Sequence, residues 1–286
     1  MRARVTVVVL VLIAVAAVGL LLSAVVAKRH EAARLQCLNN LRLHGQAASD
    51  VFDLLGKLPA HLRTADIPGA VPAGTIYFPG RPPDERLSWI ADTLGGMSQA
   101  NQSLTGLAER IDRAAKWDAG PNAEVGFTRL KLFTCPANVP ESGEGLAAVT
   151  QYVGLAGVGT TAATLSLGPP VPPRAGCFRY NAATPFAVIL QHDGVDNTLL
   201  FAEVSGDLGA WMRGGPATVR GVDDASGARP VIGFGGQFGG NHQHGVAAVS
   251  YLSGAAKFLT PRVSPAVFRA MTTIAGREAD EFPGGE

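Results

Sequence analysis

The residues best suited to chemistry are His242 and His244, which follow the glycine-rich run Gly235-Gly236-Gln237-Phe238-Gly239-Gly240. Alternate residues on an extended strand point the same way, so the pair could chelate one metal ion. No third or fourth ligand is evident beside them, so neither a metal nor any other cofactor is expected. The adjacent His192-Asp193 is a pair that metal-dependent hydrolysis uses, yet the further His and Asp ligands it needs are not placed for it. Asp193-Gly194, with Asn197 soon after, reads instead as an aspartate-stabilised turn. Glu203 could join Asp193 on a cation, but calcium takes about 6 to 8 oxygens and no Asp-x-Asp-x-Asp-Gly run exists. Asp223-Asp224 is an isolated acidic pair in a loop.

Catalysis finds no better footing. The glycines lack the Gly-Lys-Ser and following helix of a phosphate loop, and no Gly-x-Ser-x-Gly elbow occurs. Cys135 precedes Pro136 and has no activating base nearby in sequence. The three cysteines, Cys37, Cys135 and Cys177, are far apart with no Cys-x-x-Cys pair, which excludes a zinc ribbon or thioredoxin-type motif on spacing. In an oxidising compartment the arithmetic is one disulfide and one free thiol, with the pairing open. The chain is read as non-catalytic.

The elements that would position these residues begin with Val5 to Ala27, twenty-three residues without a charge, fifteen of them Val, Leu or Ile. As a helix they extend about 34 Å, enough to cross a hydrocarbon core of about 30 Å. The fifteen branched side chains favour insertion by about 5 to 9 kcal/mol. Val25-Val26-Ala27 would also serve as the cut site of a secretory signal, but the run exceeds the roughly 7 to 15 apolar residues of a signal. An uncleaved anchor is therefore expected, and both readings carry the body out of the cytoplasm. After a short basic leader at 1–4 and the span at 5–27, an amphipathic continuation is expected over 28–56. Ala32, Leu35, Leu38, Leu41, Val51, Leu54 and Leu55 form its apolar face, and Gly56 and Pro59 stop it.

The remainder, 57–276, holds enough residues for a sizeable core. Net charge is +1, with 35 Gly and 19 Pro spread without a period, which argues for turns and short strands and against nucleic acid as a partner. From Leu58 to Pro83 the chain reads as loop with apolar islands at Ile67, Ile76, Tyr77 and Phe78. Helices are expected over Leu87 to Leu94 and Leu104 to Ala115, with Trp117 and Phe127 as core or interface anchors. Strands are expected at Tyr152–Leu155, Phe186–Leu190, Thr198–Ala202, Val246–Leu252 and Lys257–Leu259, the last two joined by a hairpin turn at Gly254. Ser264 and Pro265 open a last helix with Val267, Phe268, Met271 and Ile274 on its apolar face, stopped at Gly276. The acidic tail 277–286 reads as disordered. The expected class is α+β: a long N-terminal helix packed on an antiparallel sheet with loop-rich insertions.

Six segments carry a family resemblance. They are Leu20-Leu21-Leu22-Ser23-Ala24-Val25 followed by Glu31 through Leu41, Leu87-Ser88-Trp89-Ile90, Leu132-Phe133-Thr134-Cys135-Pro136, Thr150 through Gly157, Asp193 through Glu203, and Asn241-His242-Gln243-His244-Gly245 through Ser253-Gly254 and Phe258-Leu259. In this order they resemble the bacterial pilin-like proteins of domain-of-unknown-function family 1559. The resemblance implies a pilin-like fold, a prepilin-type N-terminus, and a pseudopilin-like structural or interaction role in the envelope or a secretion apparatus. The family pattern also favours Cys37 with Cys135 as a disulfide. Three features depart from it: Arg4-Val5-Thr6-Val7 stands where the prepilin leader has Gly and then Glu, Ser253-Gly254 replaces Asp-Gly, and the spacing of the C-terminal histidine is off by one. A chain that stays a membrane anchor and does not polymerise by the usual route is the expectation. The expected partners are membrane lipid and other envelope or pilin-like proteins. The alternative is a binding module that presents Gly235 to Gly245 to carbohydrate or a cation.

Overall fold

The computed structural model describes residues 2–55, 70–71, 80–97, 103–140 and 147–276. Ile67, Ile76, Tyr77, Phe78 and the tail 277–286 lie outside the described residues, as do the side chains of Val51, Leu54 and Leu55.

One helix, α1 (Arg2–Leu55), runs unbroken through both the apolar run and its continuation. From Val7 to Val26 its large apolar side chains stand bare, whereas Cys37, Asn40, Leu41, His44, Ala47 and Ala48 are buried. The buried stripe recurs at three and four residues, so it is one helix face. It differs from the expected stripe, because Leu35 is 58% exposed and Ala32 is also outside the core. The rest of the chain, the head, touches α1 from Arg34, whose guanidinium lies 4.6 Å over the Phe258 ring, and buries its side chains from Cys37 onward; Asn40 and His44 belong to the buried face because the head offers them hydrogen-bond partners.

Along the rest of the chain follow β1 (Ala70–Val71), α2 (Trp89–Met97), α3 (Ser103–Glu109), α4 (Pro121–Gly126), β2 (Val149–Thr150) and β3 (Tyr152–Val158). Then come β4 (Thr184–Pro185), α5 (Phe186–Gln191), β5 (Leu199–Glu203), β6 (Gly209–Ala210), β7 (Val219–Val222), β8 (Ala247–Tyr251), β9 (Ala256–Leu259) and α6 (Pro265–Thr272). The main sheet has the order β7-β3-β5-β8-β9 and is antiparallel except for the parallel β3–β7 pair. The class is α+β, with the long helix laid against this sheet.

Both sheet faces are covered, and alternation along the strands divides the core in two. Tyr152, Ala156, Phe201 and Ala248 face α1 and α2, and join Cys37, Leu41, Trp89 and Phe133. Val153, Leu155, Ala202, Val249 and Phe238 face the other way, against Phe268 of α6. Period-2 side-chain direction accounts for the split. A register shift between Leu199 and Phe201 places both Leu200 and Phe201 on the α1 side.

Four local expectations need correction. Phe186–Gln191 is a helix, α5, where a strand was expected. A short all-apolar run has no period to separate the two states, and the backbone decides it: His192 and Gly194 N–H both donate to Ile189 O, closing a helical end with Gly194 at φ 76. The helix from Ser103 ends at Glu109, well short of Ala115, because Asn122 takes both the N–H and C=O of Asp112, and the Asp112 carboxylate caps Ala114 N. Phe127 is 47% exposed, so of its two expected roles that of core anchor is ruled out, whereas Trp117 packs on the core edge. Finally, α6 ends at Thr272, before Gly276, and leaves Val267 exposed, although Ser264 caps it as expected by accepting from Val267 N.

Candidate functional site

The C-terminal end of β5 meets α1, and four side chains from four segments converge there. Glu203 is the last residue of β5 and lies opposite Tyr152 of β3. Strand alternation turns it toward α1, where Cys37 follows one turn before Leu41. Cys135 comes from the loop after a single 3-10 turn at Lys131–Phe133. That loop is tied to the start of β3, since Cys135 N–H donates to Gln151 Oε1 at 2.6 Å and Gln151 N–H to Phe133 O at 2.8 Å. His242 arrives just before β8, following Gly239 and Asn241, with Gly239 N–H bonded to Glu203 O at 2.7 Å.

The ligating atoms of Cys37, Cys135, Glu203 and His242 all lie within 4.8 Å of one another, the one such group of His, Cys, Asp and Glu among the described residues. Cys135 Sγ is 3.3 Å from His242 Nε2, Cys37 Sγ is 3.4 Å from Glu203 Oε1, and His242 Nε2 is 3.5 Å from the same oxygen. Exposure is 0% for Cys37, Cys135 and Glu203 and 3% for His242, so the cluster is shielded from solvent.

A second layer orients these groups. Tyr152 Oη–H donates to Cys37 Sγ at 3.3 Å, and Asn40 Nδ2 donates to Tyr152 Oη at 3.3 Å. Asn241 Nδ2 donates to Glu203 Oε1 at 2.9 Å, and Ala248 N–H to Glu203 Oε2 at 3.2 Å. Gln151 Nε2 in turn donates to Asn241 Oδ1 at 3.2 Å. The His242 ring meets the Phe258 ring edge to face at 4.9 Å between centroids.

Burial dominates the electrostatics. It pushes the Cys37 thiol up, with the Cys135 hydrogen bond adding to it, and raises the Glu203 carboxyl well above the usual carboxylate range. The Tyr152 phenol is raised as well, again chiefly by burial. Cys135 goes the other way, down to about 4, because the Cys37 hydrogen bond stabilises its thiolate, helped by His242 and Glu203 against the cost of burial.

Of the expected pair His242 and His244, only His242 enters the cluster. Residues Gln243–Gly245 form a 3-10 turn and His244 sits at φ 63, exposed, so the two imidazoles do not share a strand face. Glu203 does face a set of metal-ligating groups, but without Asp193, whose Oδ2 accepts from Gly276 N at 2.7 Å. Asp193, Gly194 and Asn197 form a turn in which Asn197 Nδ2 donates to Asp193 O at 3.0 Å, and Gly254, at φ 83, turns the β8–β9 hairpin. His192 Nδ1 lies 2.7 Å from Val188 O, a local contact of α5. Asp224 pairs with Arg174 at 2.7 Å, and Asp223 Oδ1 caps Ala225 N. Cys37 and Cys135 do face each other across the cluster, as free thiols, and Cys177 is a separate buried thiol held up to about 12 by burial. Tyr152, Gln151 and Asn241 had no signal of their own; each lies in or beside a segment singled out above for another reason.

Neither the curated proteins nor the solved structures gave a match to the chain. A family model described as "Protein of unknown function (DUF1559)" matches residues 27–229, which begin where the bare apolar run ends and include Cys37, Cys135 and Glu203. The chain belongs to family DUF1559.

Proposed function

We propose that this protein is a non-catalytic, membrane-anchored, pilin-like structural or interaction component of the cell envelope or a secretion apparatus, with its head outside the cytoplasm. The observation that carries this reading is the double use of α1. Its first half is a bare apolar rod long enough to span a bilayer, and its second half supplies Cys37, Leu41, His44 and Ala48 to the core of the head. A head built around the continuation of its own anchor cannot swing freely, so it is presented at a set distance and angle from the lipid. That suits a subunit that docks on neighbours better than a tethered enzyme. The closed Cys-Cys-Glu-His cluster supports the non-catalytic part, since nothing but an ion or a proton could reach it. Crosslinking in intact envelopes tests the reading: the expected products are discrete complexes with other envelope proteins. A monomer that crosslinks to nothing, and whose head melts higher with an added oligosaccharide or calcium, would instead make it a binding module.

A further inference from the structure

We propose that Cys37 Sγ, Cys135 Sγ, Glu203 Oε1 and His242 Nε2 together bind one divalent ion of zinc type, in a closed structural site that clamps the anchor helix to the sheet. The geometry is the first support. Four ligands at about 2.0 to 2.3 Å from a tetrahedral ion must stand about 3.3 to 3.8 Å apart. Three of the six pairs stand at 3.3 Å for Cys135 sulfur to imidazole, 3.4 Å for Cys37 sulfur to carboxylate and 3.5 Å for imidazole to carboxylate, and the other three lie within 4.8 Å. An ion at the centre of the group would draw any wider pair in by about 1 Å or less, within reach of side-chain rotation.

The donor set selects the metal. Two sulfurs and an imidazole suit zinc and its soft-tolerant neighbours, whereas magnesium and calcium call for a shell of oxygens that this site lacks. With all four groups buried, no position is left for water or substrate, which is the arrangement of a structural site. As each metal–sulfur bond forms, any proton on that thiol or on the carboxyl leaves to solvent, so two thiolates, one carboxylate and a dication leave a single negative charge. Three donors already aim at it: Tyr152 Oη–H at Cys37 Sγ, Asn241 Nδ2–H at Glu203 Oε1 and Ala248 N–H at Glu203 Oε2. Such outer donors fix the direction and basicity of metal ligands.

Connectivity is the second support. Cys37 and Glu203 are 166 residues apart in sequence, and Cys135 and His242 are 107 apart. One ion would thus join α1, the 135 loop, β5 and the strand-entry segment of β8. Cys37, Cys135 and Glu203 lie within the residues 27–229 that match the family model, and His242 lies beyond them. The same two sulfurs could alternatively close as a disulfide, and the experiment separates these chemistries.

The test uses the full-length chain, extracted in detergent under reducing conditions, loaded with zinc chloride and desalted. Elemental analysis is expected to find about one zinc per chain, falling to less than about a tenth in Cys135→Ser and in His242→Ala. Cys177→Ser and His244→Ala should keep the ion. Should the ligand variants fail to fold, the wild-type chain reloaded with cobalt(II) still decides: sulfur-to-cobalt charge-transfer absorption with intense tetrahedral visible bands is expected. Three results would each overturn the proposal: reduced wild-type protein that takes up no metal, zinc retained in both ligand variants, or protein alkylated directly from native envelopes that carries a Cys37–Cys135 disulfide.

Discussion

At the scale of the residue, His44 shows how the head tolerates polar groups. Its ring lies among Trp89, Phe133, Tyr152 and Phe201, and its Nε2–H donates to Leu132 O at 3.2 Å. Nδ1 has no hydrogen-bond partner among the described residues. Burial pushes the imidazole down to about 4, so the neutral form belongs to the folded state. The sign follows: above about pH 6.5 the group is neutral in both states and costs nothing, while between about 6.5 and 4 the unfolded chain takes up the proton first. Stability attributable to His44 is thus full at pH 7 and falls by about 2 to 3 kcal/mol on acidification to pH 4.5. Melting curves of wild type and His44→Gln should diverge in that window, the variant losing less; parallel losses would contradict this. The cluster residues were legible only singly. Cys37 and Cys135 stood out through the family resemblance, His242 through its neighbour His244, and Glu203 through a cation pairing with the wrong partner, Asp193. A ligand set drawn from four segments between Cys37 and His242 has no short spacing to read.

Elements were legible where a period or a cap is strong. The long α1, the β8–β9 hairpin and the Ser264 cap follow from an uninterrupted apolar helix, a glycine at positive φ and a side chain that accepts from Val267 N at 3.2 Å. Replacing Ser264 by Ala should cost about 1 kcal/mol, read as a lower denaturation midpoint with an unchanged slope. Where period is lacking, the sequence is silent: Val219-Arg220-Gly221-Val222 is a four-residue edge strand paired in parallel with β3, and its burial comes from long-range partners. Glycines on β3 mark how closely the 174–178 segment approaches that strand. Gly157 sits at φ 101, and a Cβ there would lie 2.1 Å from Arg174 O. Gly157→Ala must therefore strain the backbone and push the 174–176 segment away, for a loss of about 3 kcal/mol or more. A variant melting within a degree of wild type would contradict the packing described.

For the whole molecule, class and layout were readable because hydrophobicity is so unevenly distributed: one charge-free run, then a Gly- and Pro-punctuated body. The buried stripe of α1 was less so, since it depends on where the head begins to cover the helix. The clearest test of the account is its claim that α1 is at once anchor and core. Membranes from cells making the full chain should be washed with salt and carbonate, and the N-terminus of the retained protein determined. The account predicts a chain that stays with the membrane fraction and still begins ahead of Val5. A soluble protein beginning near Lys28 would contradict it, because the bare half of α1 would then have been a removable signal and the head would stand without an anchor.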